Sequence, residues 1–269
     1  MLKLLTSAAL GTVLLAGAAV AQSCSAGKTL TEGKLTIATG NPAYYPWVID
    51  DAPESGKGFE AAVAYALAAE MGFAAEDVVW TRTSFDQAIQ PGTKDFDMNM
   101  QQFSITAERD KVVDFSEPYY TAPMAVLVRG GDGIDASMAS LKALKWGVVA
   151  STTALPVVME EIAPKASPLV YDDNANVVEA MKAGQVDAAL FDLPTALYLS
   201  AVVLEGGKVL GQFAPDESAN PDHFGVLMTD GNPLKECIDA ALAALKADGT
   251  LASIEAEWLQ EATGVPLIQ

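Results

Sequence analysis

The sequence predicts an α/β protein of two lobes, each a mainly parallel sheet flanked by helices. Two observations carry this. Strand-like runs alternate with runs of helical apolar spacing, and the alternation breaks off and restarts at Trp146. About 248 residues with half their composition apolar also suffice for two cores.

The chain opens with MLKLLTSAALGTVLLAGAAVAQ: one cation at Lys3, an apolar run from Leu4 to about Val20, then Ala19-Val20-Ala21. That is the pattern of a secretory signal peptide over residues 1–21, cleaved near Ala21. A membrane anchor is the rival, but the run is rich in Ala, Gly and Thr and only marginally long enough to span. Cleavage removes one Lys and leaves 15 basic against 35 acidic residues, a balance of −20. So negative a chain is ill suited to nucleic acid or to anionic membrane surfaces. Of two cysteines, Cys24 and Cys237, a disulfide is the leading reading for an exported chain. Lipid attachment at Cys24 is the rival, though Ala21-Gln22-Ser23 lacks the leucine and small-residue pattern expected before it.

The elements follow in order. Lys34 to Thr39 alternates like a strand and stops at Gly40-Asn41-Pro42. Phe59, Val63, Leu67 and Met71 fall at helical spacing, with Gly72 as the stop. A strand at Val78 to Thr81, a short helix near Phe85 to Ile89 and a strand at Phe96 to Met100 complete the first alternation. The second has strands at Trp146 to Ala150, Pro168 to Tyr171 and Val186 to Phe191. They alternate with helices at Thr153 to Ala163, Asn174 to Ala183 and Thr195 to Leu204. The extended runs Pro123 to Arg129 and His223 to Thr229 serve as connectors, and helices over Pro233 to Ala247 and Thr250 to Gln260 close the chain. The domain reading is lobe 1 over 30–122, lobe 2 over 123–222 and a return to lobe 1 over 223–269, which brings Cys237 near Cys24.

In open parallel sheets, ligands sit where strands end and loops lead into helices. The first strand is followed by the proline-braced loop of Asn41, Tyr44 and Trp47, and the FDMNM run by Gln101, Gln102, Phe103 and Ser104, with Arg109 beyond. After WGVVA come Ser151, Thr152 and Thr153 at a helix start, and after VDAAL comes Asp192. A helix N-terminus with hydroxyls attracts an anion, Arg109 offers a two-pronged donor for a carboxylate, and Asp192 suits an ammonium. Together these describe a pocket for a zwitterion. Each residue also has a duller role: Thr152, Thr153 and Asp192 as helix caps, Arg109 in a surface ion pair, and the aromatics in a core.

These residues carry a family resemblance. The sequence resembles the extracellular solute-binding proteins of polar amino acid ABC transporters over about Leu35 to Trp258. Its marks are GNPAYYPW, FDMNMQQFSITAERDKVVDFSEPYY, WGVVASTTA, AGQVDAALFD and the helical tail, with SIT-x-x-R followed by VDFSEPYY the most specific. The resemblance implies a type II periplasmic-binding-protein-like fold of two lobes on two hinge strands, a monomer in the periplasm, and delivery of a free amino acid to a membrane permease without a cofactor. It implies that Arg109 grips the α-carboxylate, Thr152 and Thr153 assist, and Asp192 takes the α-ammonium. Gln101 and Gln102 stand where the family uses small residues, and Ser151 where many members have Gly. Asn41, where some binders of cationic amino acids carry Asp, lowers the expectation of a basic ligand, and Asn41, Gln101, Gln102, Phe103 and Phe191 together suggest a polar, uncharged side-chain pocket with aromatic walls.

A dehydratase acting on prephenate or arogenate is the alternative on this fold. The residues offer it little: His223 is the one histidine and lies in a connector, and there is no G-x-S-x-G, no phosphate-binding G-x-x-x-x-G-K and no Cys/His spacing for zinc.

Overall fold

The computed structural model describes residues 24–131, 133–214, 222–259 and 265–268. The signal segment 1–21 lies outside the described residues. The first sheet has strands β1 (Leu35–Gly40), β2 (Val78–Thr83), β3 (Met98–Asn99), β4 (Val113–Phe115) and β12 (Leu227–Thr229), in the order β2-β1-β3-β12-β4. The second has β6 (Met124–Val128), β7 (Trp146–Val149), β8 (Leu169–Tyr171), β9 (Ala188–Asp192) and β10 (Lys208–Gln212), in the order β10-β6-β9-β7-β8. Between them, β5 (Tyr120–Ala122) and β11 (Asp222–Phe224) form a two-stranded antiparallel ribbon.

Both lobes are mixed sheets rather than mainly parallel ones. In the first, β1 runs parallel to β2 and β3, while β12 runs antiparallel to β3 and β4. In the second, β7 runs parallel to β8 and β9, while β6 runs antiparallel to β9 and β10. The reason is the double crossing. The runs read as connectors, Met124–Val128 and Leu227–Thr229, become interior strands, and a chain entering from the other lobe arrives from the opposite end.

Helices cover both sheets. In the first lobe α1 (Phe59–Glu70) and the late helix Lys235–Ala247 bury Phe59, Val63, Leu67, Ile238 and Leu242 against Leu35, Ile37 and Met98. The predicted stripe is fully inside: Phe59, Val63 and Leu67 have no exposure and Met71 has 2%. The other face packs Phe96, Phe103, Val113, Phe115 and Leu227. The second sheet is likewise buried on both faces, around Val177, Met181 and Phe191 on one and Trp146, Val148 and Ile162 on the other. The Cys24–Cys237 disulfide forms, with Cα atoms 5.8 Å apart, tying the start of the described chain to the late helix.

Four predicted elements differ in detail. The strand read over Phe96 to Met100 is regular only at Met98–Asn99. The helices read at Thr153 and Thr195 begin as α at Ala154–Pro156 and Leu193–Tyr198, then widen to π over Val157–Ile162 and Leu199–Val203. The last strand of the second alternation runs Ala188–Asp192 and so carries Asp192 as its final residue.

Candidate functional site

The loop after β1 is held from below. Arg82 donates to Gly40 O at 2.8 Å and to the Asp51 carboxylate, while Asp51 accepts from Ala43 N at 2.8 Å. Gly58 has φ +102, and a Cβ there would stand 2.5 Å from Trp47 O, so only glycine lets α1 dock this closely. Phe59 N and Glu60 N then donate to Pro46 O and Trp47 O. The result presents Asn41 and Tyr44 to a cavity and turns Trp47 away from it.

The segment after β3 is fixed by the second crossing. Ile105 N donates to His223 O at 2.9 Å and Gly225 N to Phe103 O at 3.0 Å, which seats Ser104 beside β11. Thr106 then caps the turn that carries Arg109, its hydroxyl accepting from Arg109 N at 3.2 Å. Glu60 organises the other side: its carboxylate accepts from Gln102 N at 2.8 Å, from the Gln102 side-chain amide and from the Tyr119 hydroxyl. Burial pushes Glu60 up to about 7, against the lowering effect of these donors.

A cavity of about 190 Å³ lies between the two sheets, with walls from both lobes. A single water needs roughly 10–15 Å³, so this space admits a small organic molecule. Of the sequence-predicted residues, Asn41, Tyr44, Gln101, Gln102, Ser104, Thr152, Thr153 and Asp192 line it together. Trp47 does not. Its indole has no exposure, packs on Phe59, Tyr120 and Phe224, and donates Nε1–H to Thr195 Oγ1 across the lobes at 2.9 Å. Of the two expected aromatic walls, Phe191 lines the cavity, while Phe103 is core and Phe85 takes its place.

Arg109 lies just behind the wall, 8% exposed, with its guanidinium carbon 5.2 Å from the Phe85 ring centre. Nη1 donates to Ser104 O and Nη2 crosses to Ser151 O, both at 2.7 Å. Burial lowers its pKa to about 10, partly offset by Asp222, so it stays cationic at neutral pH. Asp192 caps the Leu193–Tyr198 helix by accepting from Thr195 N at 2.8 Å and also lines the cavity. Burial pushes it up to about 6.

The two departures noted in the sequence have backbone consequences. Ser151 has φ +62 and Gln102 φ +51, the left-handed region that a glycine adopts without cost. Each is held by bonds: Ser151 O accepts from Arg109 and its hydroxyl donates to Asp86 across the lobes at 2.8 Å, while Gln102 is held by Glu60. Of the two new amides, Gln102 is therefore turned to Glu60, and Gln101 lines the cavity with its Oε1 buried and without a partner among the described residues. Thr152 turns its hydroxyl to Val149 O at 2.8 Å.

Sequence reasoning missed Ser84, Phe85, Asp172, Asp173 and Asp222 in the walls. Asp172 and Asp173 follow β8, so the rule applied to four other strand ends would have returned them. Asp222 starts β11, and no strand-end signal points to it. Among the described residues no group of three or more His, Cys, Asp or Glu side chains is placed to hold a metal, and no helix is long and apolar enough to cross a membrane.

This arrangement of lobes, ribbon and shared cavity is that of a type II solute-binding protein. The family model for bacterial extracellular solute-binding proteins, family 3, matches residues 35–261, and the chain belongs to that family. The histidine-binding periplasmic protein of Salmonella typhimurium is 29% identical over 226 residues, covering 81% of this chain and 84% of its own. An ancestral arginine-binding protein solved bound to glutamine superposes with a TM-score of 0.70 at 30% identity, covering 85% of this chain and 98% of that one. An ancestral amino acid-binding protein described as a precursor of cyclohexadienyl dehydratase gives 0.69 at 30% identity, covering 85% and 96%.

Proposed function

We propose that the chain is a periplasmic receptor that binds one free amino acid between its lobes and delivers it to the permease of an ABC transporter as a monomer. The observation that carries this is a cavity walled by both lobes that Ser104, Thr153 and Asp192 line together, with the Arg109 guanidinium held on Ser104 O behind that wall. Arg109 with Ser104 and Thr153 receives the α-carboxylate, and Asp192 receives the α-ammonium. Asn41, Tyr44 and Gln101 meet the side chain, and Gln102 and Thr152 shape the wall. The lobes are taken to turn about the β5–β11 ribbon, near residues 122 and 222. Binding then favours the closed form through contacts that exist only there.

The relatives named for their ligands support this reading, and the precursor relationship of one structural neighbour is the reason to test chemistry as well. In the binding reading His223 does no chemistry; its Nδ1 pairs with the Thr121 hydroxyl at 2.8 Å within the ribbon. A thermal-shift screen of the twenty amino acids plus ornithine and citrulline tests binding, because a ligand of the native state raises stability with the logarithm of its excess over Kd. Incubation with prephenate or arogenate tests the enzyme alternative, and product formation would establish it.

Arg109→Ala and Asp192→Ala are each expected to lose ligand while keeping the fold. Removing one partner of a buried, hydrogen-bonded charge pair costs roughly 3–5 kcal/mol, against about −8 kcal/mol for a micromolar complex. Retained affinity in both variants, measured by calorimetry, would reject the assignment.

A further inference from the structure

The carboxylate seat at Arg109 already has a carboxylate beside it. Asp222, 7% exposed, begins β11 opposite Ala122 of β5, and its Oδ1 accepts from the Thr153 hydroxyl at 3.0 Å. The Ser104 hydroxyl, 3.2 Å from that of Thr153, also bonds to Asp222. These are the two hydroxyls that the amino acid reading gives to the ligand's carboxylate. Arg109 attracts Asp222, but no ion pair within 4.0 Å joins them among the described residues, since the guanidinium prongs go to the carbonyls of Ser104 and Ser151.

The rest of the wall has the same sign. Asp172, Asp173, Asp192 and Asp222 line the cavity, and among the described lining residues there is no Lys, Arg or His. Gln101, which lines the cavity, has a buried Oε1 without a partner among the described residues, and that oxygen can accept a hydrogen bond. Asp222 and Asp192 repel each other, and around Asp222 burial opposes the favourable hydroxyls, Arg109 and His223. A second carboxylate entering this seat meets an existing one at short range in a desolvated setting, where like charges cost most.

We propose that Asp222 is a specificity-determining residue: it holds the hydroxyl donors of the anion seat, so a ligand carboxylate enters only by displacing it. The site thereby favours ligands of net positive charge over neutral and anionic ones. This rests on the reading of the cavity as an amino acid site, and it replaces the uncharged side chain expected from Asn41 with a cationic one.

The test compares the full-length protein with Asp222→Asn, and with Asp222→Ser should the first fail to fold, using lysine, glutamine, glutamate and acetate. Calorimetry on the wild type is expected to rank lysine above glutamine above glutamate. Asp222→Asn should bind glutamine and glutamate at least tenfold tighter and gain least for lysine. Acetate should raise the Tm of Asp222→Asn and leave the wild type unmoved. Equal or weaker binding of glutamine and glutamate in the variant, with equal acetate shifts, overturns the proposal. Acetate separating the two proteins while no amino acid binds either would uphold Asp222 and defeat the amino acid reading. Amino acids binding both proteins with the same rank and strength would do the reverse.

Discussion

Glu60 shows how far one buried side chain can govern a site it does not line. Its carboxylate, 1% exposed and with no cationic partner among the described residues, accepts two donors from Gln102 and one from Tyr119. The folded protein holds its proton up to about pH 7, whereas the ordinary value is 4.5. A folded pKa raised above the unfolded one means that stability is full below the unfolded value and falls as pH rises through the folded one. Between about pH 4.5 and 7 the native state therefore loses on the order of 3 kcal/mol from this group, and Asp192, raised to about 6, adds in the same direction. Urea melts at pH 5 and 7.5 should show this loss, and Glu60→Gln should reduce it. An unchanged pH slope in the variant would place the titration elsewhere. Glu60 was not legible as a site residue, because in sequence it is one acid among 35 at a helix start.

Elements were easier to read than the residues between them. Helix α1 follows from four apolar residues at helical spacing, and the late helix Lys235–Ala247 from a longer run of the same kind, because both bury one stripe on a sheet. Strand identity was legible, but strand direction was not: an apolar run such as Met124–Val128 reads the same whether it links two lobes or fills the middle of one sheet. The Cys24–Cys237 bond joins elements 213 residues apart in sequence. Closing so long a loop is worth about 5 kcal/mol in the chain-entropy model. Cys24→Ser with Cys237→Ser should lower unfolding free energy by up to that amount, measured by denaturant melts of the oxidised protein against the double variant.

At the scale of the whole molecule, the lobes also meet through contacts outside the cavity wall. Trp47 donates to Thr195, Ser151 donates to Asp86, and the Tyr45 and Tyr198 rings stand 4.1 Å apart. If closure is what binding stabilises, these pairs contribute to affinity at a distance. Thr195→Val leaves a buried indole N–H unpaired only in the closed form, at a cost of about 1–3 kcal/mol. Ligand affinity should fall by roughly 5- to 150-fold with the fold intact, read by calorimetry beside a thermal melt. Unaltered affinity would show that the Trp47–Thr195 bond persists when the lobes part.

Periodicity and strand ends were enough to place an α/β chain in two lobes and to pick out Thr153 and Asp192, which line one cavity, because those signals are local. The roles of Trp47, Glu60 and Asp222 depended on folding. Trp47 sits in a loop of aromatics any of which could face a ligand, and only the close docking permitted at Gly58 sends it to the core. Asp222 reaches Thr153 because two chain crossings pair side by side, a contact between residues 69 apart that no local pattern encodes.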